Sequence, residues 1–156
     1  VYAHLPLENK EMSPQLIGWP ELDKSFEDKE LEEKWAKILK IREFVAKPLE
    51  EKRRAKEIGH SLNAEVILYA EAELYDFIKN IEADLATIFI VSKASVKNTS
   101  ELGEEVAYSS EEFENLKVVI KKSSGIKCER CWIYTDDVGT DPDHPEICAR
   151  CAKELK

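Results

Sequence analysis

Apolar residues recur at three- and four-residue steps through one stretch of the chain: Leu31, Trp35, Ile38, Ile41, Val45 and Leu49, widened by Phe44. Lys34, Lys37, Lys40 and Glu43 face the other way, so the spacing predicts one long amphipathic helix beginning near Glu27. Ser25 and Asp28 supply a start signal, and acidic residues fill the first turn, where the helix dipole favours them. Pro48 removes a backbone donor and is expected to kink or break the run; Gly59 is expected to end it. Little else in the chain is helical, so a partner helix outside it is expected to cover the stripe.

After Gly59 the period changes. Glu65-Val66-Ile67-Leu68-Tyr69 reads as a strand, and Leu74, Phe77, Ile78, Ile81 and Leu85 as the face of a short helix. Thr87-Ile88-Phe89-Ile90-Val91 reads as a continuous apolar strand, central in a small sheet. Residues 97–104 are polar and turn-like. Val106–Tyr108 and Leu116–Lys122 are expected to pair as a hairpin with an acidic loop, and Ser123-Ser124-Gly125 separates them from the C-terminal part of the chain. Before the helix, Pro6, Pro14 and Pro20, with Gly18 beside Trp19-Pro20, read as an extended connector that lays an aromatic side chain against another surface. The fold class is therefore α+β.

Every cysteine of the chain lies in Cys128-Glu129-Arg130-Cys131 or Cys148-Ala149-Arg150-Cys151, two hooks with sixteen residues between them. A two-residue gap lets both sulfurs of a hook turn toward one point, so the four thiolates suit a tetrahedral zinc ion in a ribbon. Two disulfides, or a catalytic dithiol, are the alternatives. No secretory apolar segment opens the chain, which favours a reducing cytoplasmic compartment and hence metal. Four cysteines close the coordination shell, so the zinc is expected to be structural, one per chain. His144, in Asp143-His144-Pro145, is read as a turn residue rather than a ligand.

The net charge is −9 over 156 residues, which argues at first sight against a nucleic-acid partner. The distribution changes that picture. Residues 20–34 hold seven acids against three bases, and residues 101–114 hold six acids and no base. By contrast Arg42, Lys47, Lys52, Arg53, Arg54 and Lys56 cluster before Gly59, and Lys117, Lys121, Lys122, Lys127 and Arg130 form a second basic strip with Glu129 as its one acid. Salt screens charges beyond about 10 Å, so a local strip can meet phosphates on an acidic protein. No apolar run reaches membrane-spanning length. The chain opens on Val1 rather than Met, and a fragment or processed product is expected.

Gly125-Ile126-Lys127-Cys128-Glu129-Arg130-Cys131-Trp132, then Val138-Gly139, then His144-Pro145-Glu146-Ile147-Cys148-Ala149-Arg150-Cys151 resemble the C-terminal zinc module of bacterial-type isoleucyl-tRNA synthetases. Upstream, Lys56-Glu57-Ile58-Gly59-His60-Ser61-Leu62-Asn63-Ala64-Glu65-Val66 is similar to the segment leaving that family's anticodon-binding helices, and Phe89-Ile90-Val91-Ser92 to its next strand. The resemblance covers roughly residues 17–156. It implies three regions: 1–60, a connector and the last helix of the anticodon-binding domain; 61–122, a small α/β domain; and 123–156, the zinc ribbon.

The family is a class I ligase that activates isoleucine with ATP and esterifies it to its tRNA. Its His-Ile-Gly-His and Lys-Met-Ser-Lys-Ser motifs are absent here; Glu57-Ile58-Gly59-His60 follows a helix, not a parallel strand, and lacks the first His. The resemblance thus implies a tRNA-binding appendage without catalytic residues, ATP being used elsewhere in the full-length enzyme. Its partners would be tRNA(Ile) and the remainder of the synthetase chain, in a cytoplasmic monomer. On that reading Trp132 has a face that stacks on an unpaired base, or else forms a lid on the zinc knuckle. Lys121, Lys122, Lys127 and Arg130 beside it, and Arg53, Arg54 and Lys56 at the helix end, are the other candidate RNA contacts. Arg130 and Arg150 can also offset the negative zinc–thiolate cluster. Two other classes share the hooks: a DNA-repair glycosylase with a C-terminal ribbon, and a non-enzymatic zinc-ribbon adaptor.

Overall fold

In the computed structural model, which describes residues 2–6, 8, 10–19 and 21–155, the chain divides into two compact units, residues 1–35 and 36–156. The first consists largely of single turns. Asp23 accepts the Ser25 N–H at 2.9 Å and caps a turn at Lys24–Phe26; Asp28 accepts the Leu31 N–H at 2.9 Å, the N-cap bond of helix α1 (Lys29–Arg54). Of the two start signals, Asp28 is the cap and Ser25 belongs to the turn before it. Trp19 is 98% exposed within this chain, and its neighbour Pro20 lies outside the described residues.

In the second unit, α1 buries Ile38, Ile41 and Val45 in one core with Val66, Leu68, Ile78, Leu85, Phe89 and Val118. The chain itself therefore covers this part of the stripe, while Leu31 and Trp35 at its start stay exposed. Pro48 neither breaks nor ends the helix, which runs on to Arg54 with the proline ring buried. Tertiary burial of an apolar face outweighs the lost backbone hydrogen bond. Nor does Gly59 end it. Lys56 turns left-handed (φ +61°), the Lys56 N–H reaches the Arg53 carbonyl and the Glu57 N–H the Lys52 carbonyl, both at 3.0 Å. That pair of bonds is a Schellman cap, which normally falls to glycine and here falls to lysine three residues early.

A four-stranded sheet forms the centre, in the order β2-β1-β4-β3, from β1 (Ala64–Ala70), β2 (Lys93–Asn98), β3 (Tyr108–Ser109) and β4 (Lys117–Lys122). β1 pairs parallel with β2 (Leu68 opposite Val96) and antiparallel with β4 (Leu68 opposite Val118). A parallel pair needs a crossover, supplied by two short helices, α2 (Ala72–Lys79) and α3 (Glu82–Phe89). Alternation along β1 sends Val66, Leu68 and Ala70 into the main core; Ile67 and Tyr69 point to the other face, where Val119, Leu102 and Ala107 cover them. Burial on both faces explains why β1 reads as an unbroken apolar run. On the edge strand, the Val96 N–H is taken by Glu82 Oε1 at 3.0 Å.

One expected strand is absent from its place. Thr87–Val91 is not a strand: residues through Phe89 complete α3, Ile90 turns left-handed (φ 57°, ψ 52°), and the strand follows at Lys93. Buried Ile78, Ile81, Leu85 and Phe89 keep the helical step across this stretch. A five-residue apolar run cannot be separated from a helix end by periodicity alone. The Val91 N–H bonds the Ala86 carbonyl at 2.9 Å and the Ile90 N–H the Thr87 carbonyl at 3.2 Å, a second Schellman cap. The polar strand β2 was hidden because edge strands carry little apolar signal.

Left-handed backbone is costly for a β-branched residue, by roughly 1–2 kcal/mol. Because the Ile90 side chain is mostly exposed, Ile90→Gly is expected to stabilise the chain by about 1 kcal/mol and raise Tm by about 2–4 °C. Thermal unfolding followed by circular dichroism checks it, and a lower Tm would show that the side chain contributes more than its backbone costs.

Candidate metal centre and nucleic-acid interface

Residues 126–153 fold around their cysteines. Strands β5 (Ile126–Lys127) and β6 (Tyr134–Thr135) pair antiparallel, Lys127 opposite Tyr134, and enclose the first hook. Gly125 leads in with φ +94°, where a Cβ would stand 2.7 Å from the Thr135 backbone, so no other residue fits without displacement. The Cys128 N–H bonds the Ile133 carbonyl at 2.9 Å and the Trp132 N–H the Cys128 carbonyl at 2.8 Å; Trp132 makes the reversal with φ +67°. The second hook starts at Cys148, the N-cap of helix α4 (Ala149–Lys153). Backbone donors tie the hooks together: Glu129 N–H to the Glu146 carbonyl at 3.1 Å, and Cys148 N–H to Cys128 Sγ at 3.4 Å.

The four cysteine sulfurs lie within 4.8 Å of one another, with Cys131 Sγ and Cys148 Sγ 3.8 Å apart, and His144 is not among them. Around a tetrahedral zinc with bonds of ~2.3 Å, sulfurs stand about 3.8 Å apart, so the donor set fits that ion. All four cysteines are free of disulfides. Burial opposes ionisation of Cys128, yet backbone N–H groups of Cys131, Cys148 and Arg130 outweigh it and bring the thiol down to about 6. Burial pushes Cys148 up to about 12. Arg150 hydrogen-bonds Cys131 and is held charged, whereas Arg130 acts on the cluster through its backbone.

Asp137, not singled out in the sequence, organises the loop between the hooks. Its Oδ1 accepts the Thr135 hydroxyl at 2.8 Å and its Oδ2 the Ala149 N–H at 3.3 Å, joining β6 to the second hook. Val138 and Ile147 pack on the buried sulfurs.

A second missed feature joins this module to the sheet. Ser92 donates its hydroxyl to the Leu62 carbonyl and accepts the Tyr134 N–H at 2.7 Å. Lys93 reaches Asp136 Oδ2 at 2.8 Å and Ser124 Oγ at 3.1 Å, and the Ser123 N–H bonds the Asn63 carbonyl at 2.8 Å. The Lys93–Asp136 pair, with Asp136 largely exposed, is worth at most about 1 kcal/mol. Removing the Ser92 hydroxyl would strand two partly buried groups, at about 1–3 kcal/mol, so the serine dominates. Ser92 stood in the motif Phe89-Ile90-Val91-Ser92, but nothing in a single sequence marked its hydroxyl.

The candidate RNA contacts divide by their partners. Lys127 holds its ammonium 5.2 Å from the centre of the Trp132 ring, and that ring is 58% exposed, so it is not a buried lid on the knuckle. Lys122, Arg130 and Lys56 are exposed. Lys121 is ion-paired with Glu105, and Arg53 and Arg54 both reach Glu50, at 2.9 and 3.2 Å. The structure thus brings charge and aromatic face together at Lys127 and Trp132, and occupies Arg53, Arg54 and Lys121 with carboxylates. No helix among the described residues is long and apolar enough to cross a membrane.

Comparison with known proteins agrees with this geometry. Residues 125–153 match the family described as "Zinc finger found in FPG and IleRS". The whole chain is 42% identical, over 157 aligned residues, to an isoleucine–tRNA ligase of Moorella thermoacetica. It is 44% identical over 92% of its length to that of Caldanaerobacter subterraneus subsp. tengcongensis, and 44% over 99% to that of Carboxydothermus hydrogenoformans. The chain spans 17%, 15% and 16% of the lengths of these three curated relatives, about one sixth. The resemblance read from the motifs is borne out along the chain, and the C-terminal module is a zinc finger suited to one structural ion.

A structural zinc contributes on the order of 10 kcal/mol to a module this small. Cys148→Ser, or chelation of the metal, is therefore expected to disorder residues 126–153 and leave α1 and the sheet folded on their own core. Amide spectra of the chain with one zinc bound, and after chelation, check this. Joint loss of the β1 and β4 signals would show that the metal supports the whole second unit.

Proposed function

We propose that this chain is the C-terminal region of an isoleucine–tRNA ligase, and that it holds tRNA(Ile) while activation and transfer proceed in another part of the enzyme. The observation that carries the reading is similarity over essentially the whole chain to ligases of that name. The zinc finger alone would not separate it from a glycosylase, since the matched family is described by both kinds of protein; the first 124 residues make the difference. The regions 1–60, 61–122 and 123–156 then act as the end of the anticodon-binding helices, a connecting α/β domain and the zinc ribbon.

Cys128, Cys131, Cys148 and Cys151 hold the zinc, which when bound supplies rigidity, its four positions being filled by protein. Trp132 offers its exposed ring to an unpaired base, and Lys127 sets a cation over that same ring. Lys122 and Arg130 add exposed positive charge for phosphates, and Lys121, Arg53, Arg54 and Lys56 are further contacts. None of these residues is catalytic: isoleucine and ATP are bound upstream, in a cytoplasmic, monomeric enzyme.

In the full-length ligase, Cys151→Ser is expected to lower tRNA charging by about tenfold or more, a loss of at least ~1.4 kcal/mol. Pyrophosphate exchange, which reports adenylate formation, should stay near the wild-type rate. tRNA binding should also weaken as salt rises, the logarithm of the association constant falling against that of the salt concentration by about 0.7 for each phosphate neutralised on single-stranded RNA. Equal losses in both assays would mean that the module stabilises the whole enzyme and does not hold tRNA.

A further inference from the structure

We infer that Ser92, assisted by Lys93, is a positioning residue that fixes the zinc finger on the sheet domain in one orientation and thereby aims Lys127 and Trp132. The aiming part of this inference rests on the tRNA-holding reading above; the clamp itself does not. Three observations converge on it.

First, Ser92 is placed before its hydroxyl is used. Its N–H bonds the Ala64 carbonyl at 3.2 Å, at the start of β1, so the side chain emerges from the rigid end of the central strand. The hydroxyl then has one proton and one direction to give it, to Leu62, and a lone pair left for the Tyr134 N–H. Both sides of the bridge are backbone groups, so it joins the two folds rather than two mobile side chains.

Second, the residue it grips carries the candidate contact. Tyr134 lies opposite Lys127 in the β5–β6 pair, and the Lys127 ammonium sits over Trp132. Holding Tyr134 therefore holds the register position of Lys127.

Third, Lys93 closes the segment that would otherwise act as a hinge. The linker Ser123-Ser124-Gly125 suits free rotation, but Lys93 spans from Ser124 to Asp136, just beyond β6, while Ser123 is pinned to Asn63. The exposed ion pair is the weaker part, and the shared hydroxyl the stronger.

The test uses full-length ligase carrying Ser92→Ala, Ser92→Thr or Lys93→Met. Deuterium exchange of the peptide over residues 126–135 reads the clamp directly, zinc content reads the metal site, and steady-state charging separates KM for tRNA from kcat. For Ser92→Ala the expected result is exchange faster by about tenfold, KM for tRNA raised about tenfold with kcat little changed, one zinc retained and pyrophosphate exchange unaltered. Ser92→Thr, which keeps a hydroxyl, should restore both exchange and KM, and Lys93→Met should move them in the same direction by less. Unchanged exchange in Ser92→Ala would overturn the clamp. Faster exchange with unchanged KM would overturn the positioning role, and so would loss of zinc, which would make the hydroxyl a support of the metal site. Trp132→Ala and Lys127→Ala test the tRNA reading separately: if neither changes KM for tRNA, that reading fails whatever Ser92→Ala does to exchange.

Discussion

Both faces of β1 have to be covered, and that requirement recruits most of residues 36–156. One face takes Val66, Leu68 and Ala70 into a core closed by α1, α2 and α3; the other takes Ile67 and Tyr69 under Leu102 and Ala107. Its parallel pairing with β2 forces a crossover, which places α2 and α3 where the α1 stripe meets them. Tyr69 on the second face also hydrogen-bonds Glu105, the partner of Lys121. The acidic segment after β2 is therefore part of the sheet's cover as well as a solvated loop.

The zinc finger obeys a different constraint. Between Gly125 and Lys153 the buried groups are mainly three cysteines and Ala152, too little apolar surface to hold a fold alone. Metal binding and a few directed hydrogen bonds replace the core that other modules have. Such a module has a defined interior and little apolar surface to orient it, and the polar bonds at Ser92, Lys93 and Ser123, with the His60–Tyr134 ring contact, join it to the sheet.

Legibility in the sequence followed the same division. The hooks were readable because ligand spacing is a local geometric requirement, and β1 and α1 because a buried face imposes a period. The failures lay where two local signals competed. Pro48 reads as a breaker on propensity alone, without the burial that compensates it, and Gly59 reads as the helix end although Lys56 takes the left-handed turn. Ile88-Phe89-Ile90 looked like a strand because short apolar runs serve either element. Ser92 and Asp137 could not be read at all: their value lies in hydrogen bonds to backbone groups distant in sequence, which no period records.

The acidic balance of the chain is compatible with a polyanionic partner for a reason of magnitude. Arg53, Arg54 and Lys121 are bound to carboxylates, yet this does not exclude them from the proposed RNA contact. These pairs are exposed, and exposed pairs are worth roughly 0–1 kcal/mol each, so an approaching phosphate can exchange for the carboxylate at small cost. Lys127 differs, being held over an aromatic face by an interaction of similar size that leaves its charge uncompensated. For the proposed RNA partner that makes Lys127 the better starting contact: neighbouring carboxylates repel RNA beyond a Debye length only weakly, and this cation need not first give up a carboxylate.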